Sequence, residues 1–410
     1  MEIRPIFSAL MRNKTAPVLV ATQIAISLAI LTNALYVVQL RQEASARSSG
    51  IQDEASVFQI TSESLKKTDY NEKLALKKIE KQILTHLPGV LSVAEVNQMP
   101  MANFAQFNPL STDRHQLNPI ASAAVYLSGD SLINTLGLQL LEGRDFNASD
   151  VIEYDASQDD KAAQSTIITK ALARRLFPGV ESVIGKSIFM GTGEKAEESK
   201  IVGVIDSLQT PPAEFSDDAQ FSLIMPLAPA LPRNSYAVRT EPGQRDRVMK
   251  AAQSALDKNL NGATIIALHT VEEYRKERYR NDNALSSMLI TVSGLLLLVS
   301  ASGIVGMSTL WVAQRRKQIG VRRALGARKL DILRYFLTEN FLITSIGIGA
   351  GIVMSIGLNQ ILVSHFEISK LPIIYLLAAP FIFWTMGLCA AYGPSWRAAS
   401  ISPATATRGF

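Results

Sequence analysis

The sequence predicts an α-helical membrane protein with four transmembrane helices. Between the first two it places a large α+β extracytoplasmic domain, built of a strand-helix-strand subdomain and an inserted, mainly-β subdomain. Three observations predict this. Residues 15–40, 284–314, 340–364 and 371–396 contain no Asp, Glu, Lys or Arg. As helices rising 1.5 Å per residue they reach roughly 37 to 46 Å, enough to cross a hydrocarbon core of about 30 Å. Charge is also divided unevenly. The N-terminus, the segment between the second and third runs and the C-terminus together hold 13 basic and 3 acidic residues, whereas residues 41–283 hold 27 basic and 32 acidic. Short basic segments stay inside, so both termini are expected in the cytoplasm and 41–283 outside it. Finally, the segment between the second and third runs carries Arg315, Arg316, Lys317, Arg322, Arg323, Arg328, Lys329 and Arg334 against Asp331 and Glu339. Apolar and basic residues alternate there, which predicts an amphipathic helix along the cytoplasmic face, around Gln318 to Leu330.

Taken in order, residues 1–16 are a cytoplasmic N-terminus and 17–40 the first transmembrane helix. Ala44-Ser-Ala46 has the small-residue spacing of a signal-peptidase site, but the uncharged run of 26 residues exceeds a typical signal core of about 7–15. An uncleaved anchor is expected. Residues 41–283 form the outer domain. Its first half reads as a strand (Ser56 to Ser62), a helix (Tyr70 to His86) with an apolar stripe of Leu74, Leu76, Ile79, Ile83 and Leu84, and a strand (Val90 to Asn97). The same order returns at the end, with a strand from Ser235, a helix from Gln244 to Leu260 and a strand from Ala263 to His269. One subdomain assembled from both ends is expected, with residues of about 103–232 inserted between them. From Val271 to Asn283 the chain is strongly charged, and it runs into the uncharged stretch without a proline. A single helix from Val271 to Ala313 would be about 65 Å long and act as a stalk; a flexible charged linker is the plainer alternative. Residues 284–313, 340–364 and 371–393 are the remaining transmembrane helices, 314–339 the cytoplasmic loop, and 394–410 a cytoplasmic tail starting at Pro394.

Several chemistries are excluded. Cys389 is the one cysteine, so no disulfide forms within the chain, and the four histidines lack metal-ligand spacing. Gly179-VESVI-Gly185-Lys186-Ser187 mimics a phosphate-binding loop, but five residues separate the glycines where that motif needs four. A turn is expected there. No nucleophile-base set stands out, and the acidic pairs Asp159-Asp160 and Asp217-Asp218 sit in polar, turn-like stretches. No catalytic residue, metal ligand, bound cofactor or nucleic-acid partner is assigned. In the third helix, Ser345 with Gly349 and Gly347 with Gly351 are small-xxx-small pairs that serve close packing, within the chain or in a dimer.

The loop Gln318-IGVRRALGARKLDIL resembles the signature of FtsX-like, MacB-type ABC transporter permeases, which runs approximately E-I-G-[IL]-R-[RK]-A-[LI]-G-A. Ile319, Gly320, Val321, Arg322, Arg323, Ala324, Leu325, Gly326 and Ala327 fall on it. The tail is similar to that family's ending at Pro394, Ala398, Ala399, Pro403, Ala406 and Arg408, and Leu136-GLQLLEGRDF and Ile184-GKSIFM resemble family segments. The resemblance implies a type VII ABC permease with a porter-like outer subdomain. Such permeases are dimeric, with an identical or a related chain, and convert cytoplasmic ATP hydrolysis into periplasmic movement. It also implies that Gln318 to Ala327 contact an ABC ATPase, expected as a separate subunit in two copies that brings ATP and Mg. A periplasmic adaptor and an outer-membrane channel are further expected partners, beside membrane lipids in the inner membrane. The substrate class expected is a peptide, toxin or other periplasmic molecule. A regulator of a cell-wall hydrolase, like FtsX itself, and a lipoprotein-release permease are the alternatives. One departure stands out: the family's usual Glu before Ile-Gly is Gln318 here, which removes a charge-assisted contact.

Overall fold

The computed structural model describes residues 15–65, 69–155, 162–191, 193, 196–213, 217–231, 233–259, 264–366 and 370–400. The tail positions Pro403, Ala406 and Arg408 and the acidic pair Asp159-Asp160 lie outside them. The chain divides into two compact units, Met1–Gln42 with Asp282–Phe410, and Glu43–Asn281.

The α/β unit contains a four-stranded antiparallel sheet in the order β13-β1-β12-β2, from Thr264–Thr270, Val57–Ser64, Arg233–Thr240 and Val90–Glu95. Its outer strands come from opposite ends of the unit, as the repeated strand-helix-strand order requires. Two helices, α2 (Tyr70–Thr85) and α5 (Arg245–Asn259), cover it, and Phe58, Ile60, Leu84, Val238, Val248 and Leu256 form the core between them. Helix α2 begins in a capping box, in which Asp69 accepts from the Glu72 N–H and Glu72 accepts from the Asp69 N–H. Such caps contribute about 1 kcal/mol. Its apolar stripe is corrected by the structure. Ile79 is exposed, and the most buried side chains of the helix are Lys77, Glu80 and Leu84.

The insert is built on a seven-stranded sheet ordered β5-β9-β7-β10-β4-β3-β8. In chain order these are β3 (Phe107–Ser111), β4 (Ala121–Leu127), β5 (Leu140–Gly143), β7 (Ser165–Thr169), β8 (Ser187–Met190), β9 (Glu197–Ile205) and β10 (Ser222–Met225). β8 also pairs with the first half of β9, so the sheet closes on itself and leaves few free edges. Short helices α3 (Leu132–Leu136) and α4 (Lys170–Leu176) flank it, and β6 (Ile152–Tyr154) pairs with β11 (Leu227–Pro229). The phosphate-loop mimic folds as turns leading into β8, with Lys186 Nζ 5.6 Å over the Phe177 ring.

The helical unit holds four helices long and apolar enough to span a membrane: α1 (Thr15–Ala46), α7 (Arg280–Gln314), α9 (Lys329–Phe366) and α10 (Ile373–Ala399). Each outruns its uncharged core. α1 continues six residues beyond 40, where Arg41 pairs with Asp282. α9 starts at Lys329, not near residue 340. α10 passes through Pro394, where the sequence places its end, because Ala398 and Ala399 are fully buried against Ile319, Ile332, Leu333 and Phe336 and hold the last turn. The single helix expected from Val271 to Ala313 is broken. α6 (Val271–Arg278) and α7 are separated at Tyr279, whose ring is buried and whose hydroxyl accepts from Gln209 Nε2 at 2.9 Å.

Helix α1 packs into the others through Ile24, Leu28 and Leu31, which meet Ile304, Ile343, Ile348 and Phe383. Polar links cross between helices as well, including Asn33 Nδ2 to the Ser355 carbonyl (3.1 Å), Ser300 Oγ to Ser27 Oγ (3.0 Å) and Asn340 Nδ2 to the Gly387 carbonyl (2.9 Å). The remaining faces carry exposed Leu298, Val353, Ile356 and Phe381, an apolar surface suited to lipid.

Candidate functional site

The basic loop folds as one short helix and a sharp corner. Helix α8 (Arg316–Ala324) does not reach Leu330, because a Schellman motif stops it. The Gly326 N–H donates to the Arg323 carbonyl at 3.2 Å, and the Ala327 N–H to the Arg322 carbonyl at 3.0 Å. This needs a left-handed residue, and Gly326 supplies it with φ 96°. The chain then re-enters a helix at once, as Asp331 accepts from the Arg328 N–H at 2.9 Å and caps α9.

The expected contact residues therefore divide by face. Ile319 and Gly320 are buried, Ile319 in the cluster with Ile332, Leu333 and Phe336. Arg323 and Ala327 are half-buried, and Arg323 Nη1 donates to the Ala327 carbonyl at 3.2 Å, bracing the corner. Gln318, Arg322, Ala324, Leu325 and Gly326 are exposed. Leu325 stands 84% exposed at the tip of α8, with Val321 and Leu330 also exposed, so an apolar knob projects from a basic helix. Arg315 and Arg322 line a small depression together with Gln318, and Arg322 lies 5.0 Å over the Tyr335 ring. With Gln318 uncharged and Arg315 tied to Glu339, Arg322 supplies the positive charge of this depression.

The loop is anchored at its base. Arg315 Nη1 donates to both carboxylate oxygens of Glu339 at 2.9 Å, and Glu339 is fully buried. The guanidinium also lies 5.7 Å over the Trp311 ring.

The small residues of α9 point to different neighbours. A Cβ on Gly347 would lie 2.8 Å from the Ala21 carbonyl, and one on Gly351 would lie 3.1 Å from Ala25. That close-approach face is taken up by α1 of the same chain. Ser345 donates to the Phe341 carbonyl at 2.7 Å and accepts from Trp384 Nε1 at 3.1 Å, whereas Gly349 is exposed with open space beside it.

A polar cluster that the sequence does not signal lies in the α/β unit. Lys77 pairs with Glu95 at 2.6 Å and donates to the Pro229 carbonyl at 3.3 Å. Glu80 accepts from Ser62, from Asn234 Nδ2 at 2.9 Å and from the Tyr236 hydroxyl at 2.9 Å. Burial, reinforced by the Glu80 charge, pushes the Tyr236 pKa far up and keeps it a donor. Burial also lifts the Glu95 carboxyl above the ordinary range, against the pull of Lys77 and with a smaller push from Asp130. Between the ordinary pKa and this raised one, the folded chain binds more protons than the unfolded chain. Stability from this site is therefore expected to fall as pH rises through that window. Unfolding profiles of the full chain against pH, with Glu95→Gln flattening the difference, check the sign. Among the described residues, no group of three His, Cys, Asp or Glu side chains is placed to hold a metal.

Comparison with known proteins gives consistent matches. The family model described as a MacB-like periplasmic core domain matches residues 19–255, and that described as an FtsX-like permease C-terminal domain matches residues 290–403. A "Macrolide export ATP-binding/permease protein MacB" from Pasteurella multocida is 26% identical over 344 residues, covering 78% of this chain and 49% of the relative. A protein of the same description from Chromobacterium violaceum is 25% identical over 296 residues, covering 70% and 43%. The chain thus spans about half the length of the curated relatives it matches. Among solved structures, the extracellular domain of the ABC-type transporter YknZ from Gram-positive bacteria aligns with a TM-score of 0.31 and 17% identity, over 51% of this chain and 99% of that one.

Proposed function

As the chain belongs to the family of MacB-like, FtsX-like ABC transporter permeases, we propose that it is the permease subunit of an ATP-driven, mechanotransmitting transporter. It sits in the inner membrane with both termini in the cytoplasm and the α/β unit in the periplasm, in keeping with the charge division. An ABC ATPase closes on ATP against α8 of a permease dimer. The movement drives export of a peptide, toxin or other periplasmic molecule. The relatives' printed names support the ATP-binding partner and the export direction.

The observation that carries this reading is the apolar knob on the basic helix. Leu325, with Val321 and Arg322 beside it, is exposed on a corner stiffened by a Schellman motif and anchored through Arg315 and Glu339. A lipid-facing loop needs no such rigid corner, whereas a lever pushed by a partner does.

The test uses the full chain in nanodiscs with the ATPase that co-purifies with it. Leu325→Glu is expected to reduce permease-stimulated ATP hydrolysis at least about tenfold, the loss of roughly 1.4 kcal/mol of contact. Thermal unfolding should not change, since the side chain is exposed. Unchanged stimulation by Leu325→Glu and Arg322→Glu together would remove α8 from the contact.

A further inference from the structure

The α/β unit contains a cavity of about 600 Å³ that neither the fold nor the coupling surface explains. Its walls are mostly apolar, with Met99, Ala102, Phe104, Leu127, Pro229 and Leu231 among the lining residues. Part of the polar lining is fixed. The Tyr274 hydroxyl donates to Gln59 Oε1, Gln59 Nε2 donates to Ser235 Oγ, and Asn234 is held by Glu80. These groups spend hydrogen bonds on one another, so this part of the wall is pre-formed. The ionisable lining is close to neutral in sum: Lys77 holds Glu95, and exposed Arg233 and Glu277 carry opposite charges.

The loop bearing Met101 to Phe104 closes one side. Met101 is buried with φ 63°, a left-handed conformation that costs a non-glycine residue of order 1 kcal/mol or more. Phe104, by contrast, is 62% exposed. A strained anchor thus holds an aromatic ring in the cavity lining.

We propose that this cavity binds a compact, uncharged amphiphile: an apolar, ring-bearing body with a single hydrogen-bonding end. The size follows from the volume, which at interior packing density takes a molecule on the order of 20–30 non-hydrogen atoms. Neutrality follows from the opposite charges of the lining, where a ligand with net charge would lose hydration and meet both Arg233 and Glu277, one attracting it and the other repelling it. The site belongs to the α/β unit alone and needs neither ATP nor the α8 contact, so its failure would leave the coupling reading standing.

The test uses the full chain with Cys389→Ser, in lipid nanodiscs, carrying a nitroxide spin label on Asn103→Cys at the cavity mouth. N-phenyl-1-naphthylamine, uncharged with one N–H, is expected to change the label's line shape saturably. The same label on Leu117→Cys, outside the cavity lining, should not respond. The sulfonated analogue 8-anilinonaphthalene-1-sulfonate should bind at least about tenfold more weakly, one decade being roughly 1.4 kcal/mol. Ala102→Trp, which puts an indole into the lining, should weaken saturable binding about tenfold. Phe104→Ala, at an exposed position that leaves folding intact, should weaken it about tenfold. Equal, non-saturating responses at both labels mean partition into lipid only and overturn the proposal. So does equal affinity for the neutral and sulfonated compounds.

Discussion

Lys77→Met is expected to destabilise the α/β unit by about 3–5 kcal/mol, the usual consequence of removing one partner from a buried ion pair. Lys77 is 6% exposed and its ammonium lies 2.6 Å from Glu95, whose side chain is 12% exposed. Methionine keeps the length and apolar stem of lysine, so little packing is lost. The cost arises because the Glu95 carboxylate remains buried with no cation beside it and can recover only by taking up a proton. One further loss adds to this, because the Pro229 carbonyl gives up its lysine donor. Hydrogen exchange of amides in β1 and β12 checks the magnitude: protection should fall roughly a hundredfold or more, since each 1.4 kcal/mol is a factor of ten. The Lys77→Met, Glu95→Gln double variant should regain much of the stability, because it buries no charge. If Lys77→Met alone leaves protection unchanged, the pair is solvated in solution and the raised Glu95 pKa has no basis.

This pair also shows where sequence reading stops. Helical periodicity places an apolar stripe on α2 and is right about Leu84, yet it assigns Ile79 to the core and leaves Lys77 and Glu80 in water. The structure reverses these because the partners of Lys77 and Glu80 (Glu95, Asn234, Tyr236 and Pro229) come from segments up to about 160 residues away. No local pattern carries that information. Topological features fared differently, since a charge-free run or a repeated strand-helix-strand order is itself local. The four apolar helices and the two-ended sheet were therefore legible, but where the helices begin and end was not. α9 begins at Lys329 because Gly326 and Asp331 cap the corner, and α10 passes Pro394 because Ala398 and Ala399 are buried. In the loop, the motif marked a run of residues without saying which face each would present. Gly326 can be read as a helix stop from its residue type alone; the burial of Ile319 beneath the knob of Leu325 cannot.

Arg315→Ala is expected to cost about 3–5 kcal/mol as well, and to reach function through position rather than contact. Glu339 is fully buried on α9, and both its oxygens are held by one nitrogen of Arg315, the residue at the joint between α7 and α8. Without that guanidinium the carboxylate has Tyr335 near the pair but no cation in reach among the contacts described. The carboxylate must then draw in water or a proton, and either response loosens the base of α8. The apolar seat of Ile319 against Ile332, Leu333 and Phe336 would remain, so the helix should persist while its angle and rigidity change. Two measurements separate this from a simple loss of fold. Thermal unfolding of the helical unit should drop for Arg315→Ala and recover largely in Arg315→Ala with Glu339→Gln, which leaves no buried charge. ATPase stimulation should fall in both, because neither retains the two-pronged tie that fixes the loop. The exposed neighbour Arg316→Ala should stay within about 0.5 kcal/mol of the parent and keep stimulation. If the double variant recovers stimulation along with stability, Arg315 serves only to neutralise Glu339, and the lever is set by the apolar seat of Ile319 instead.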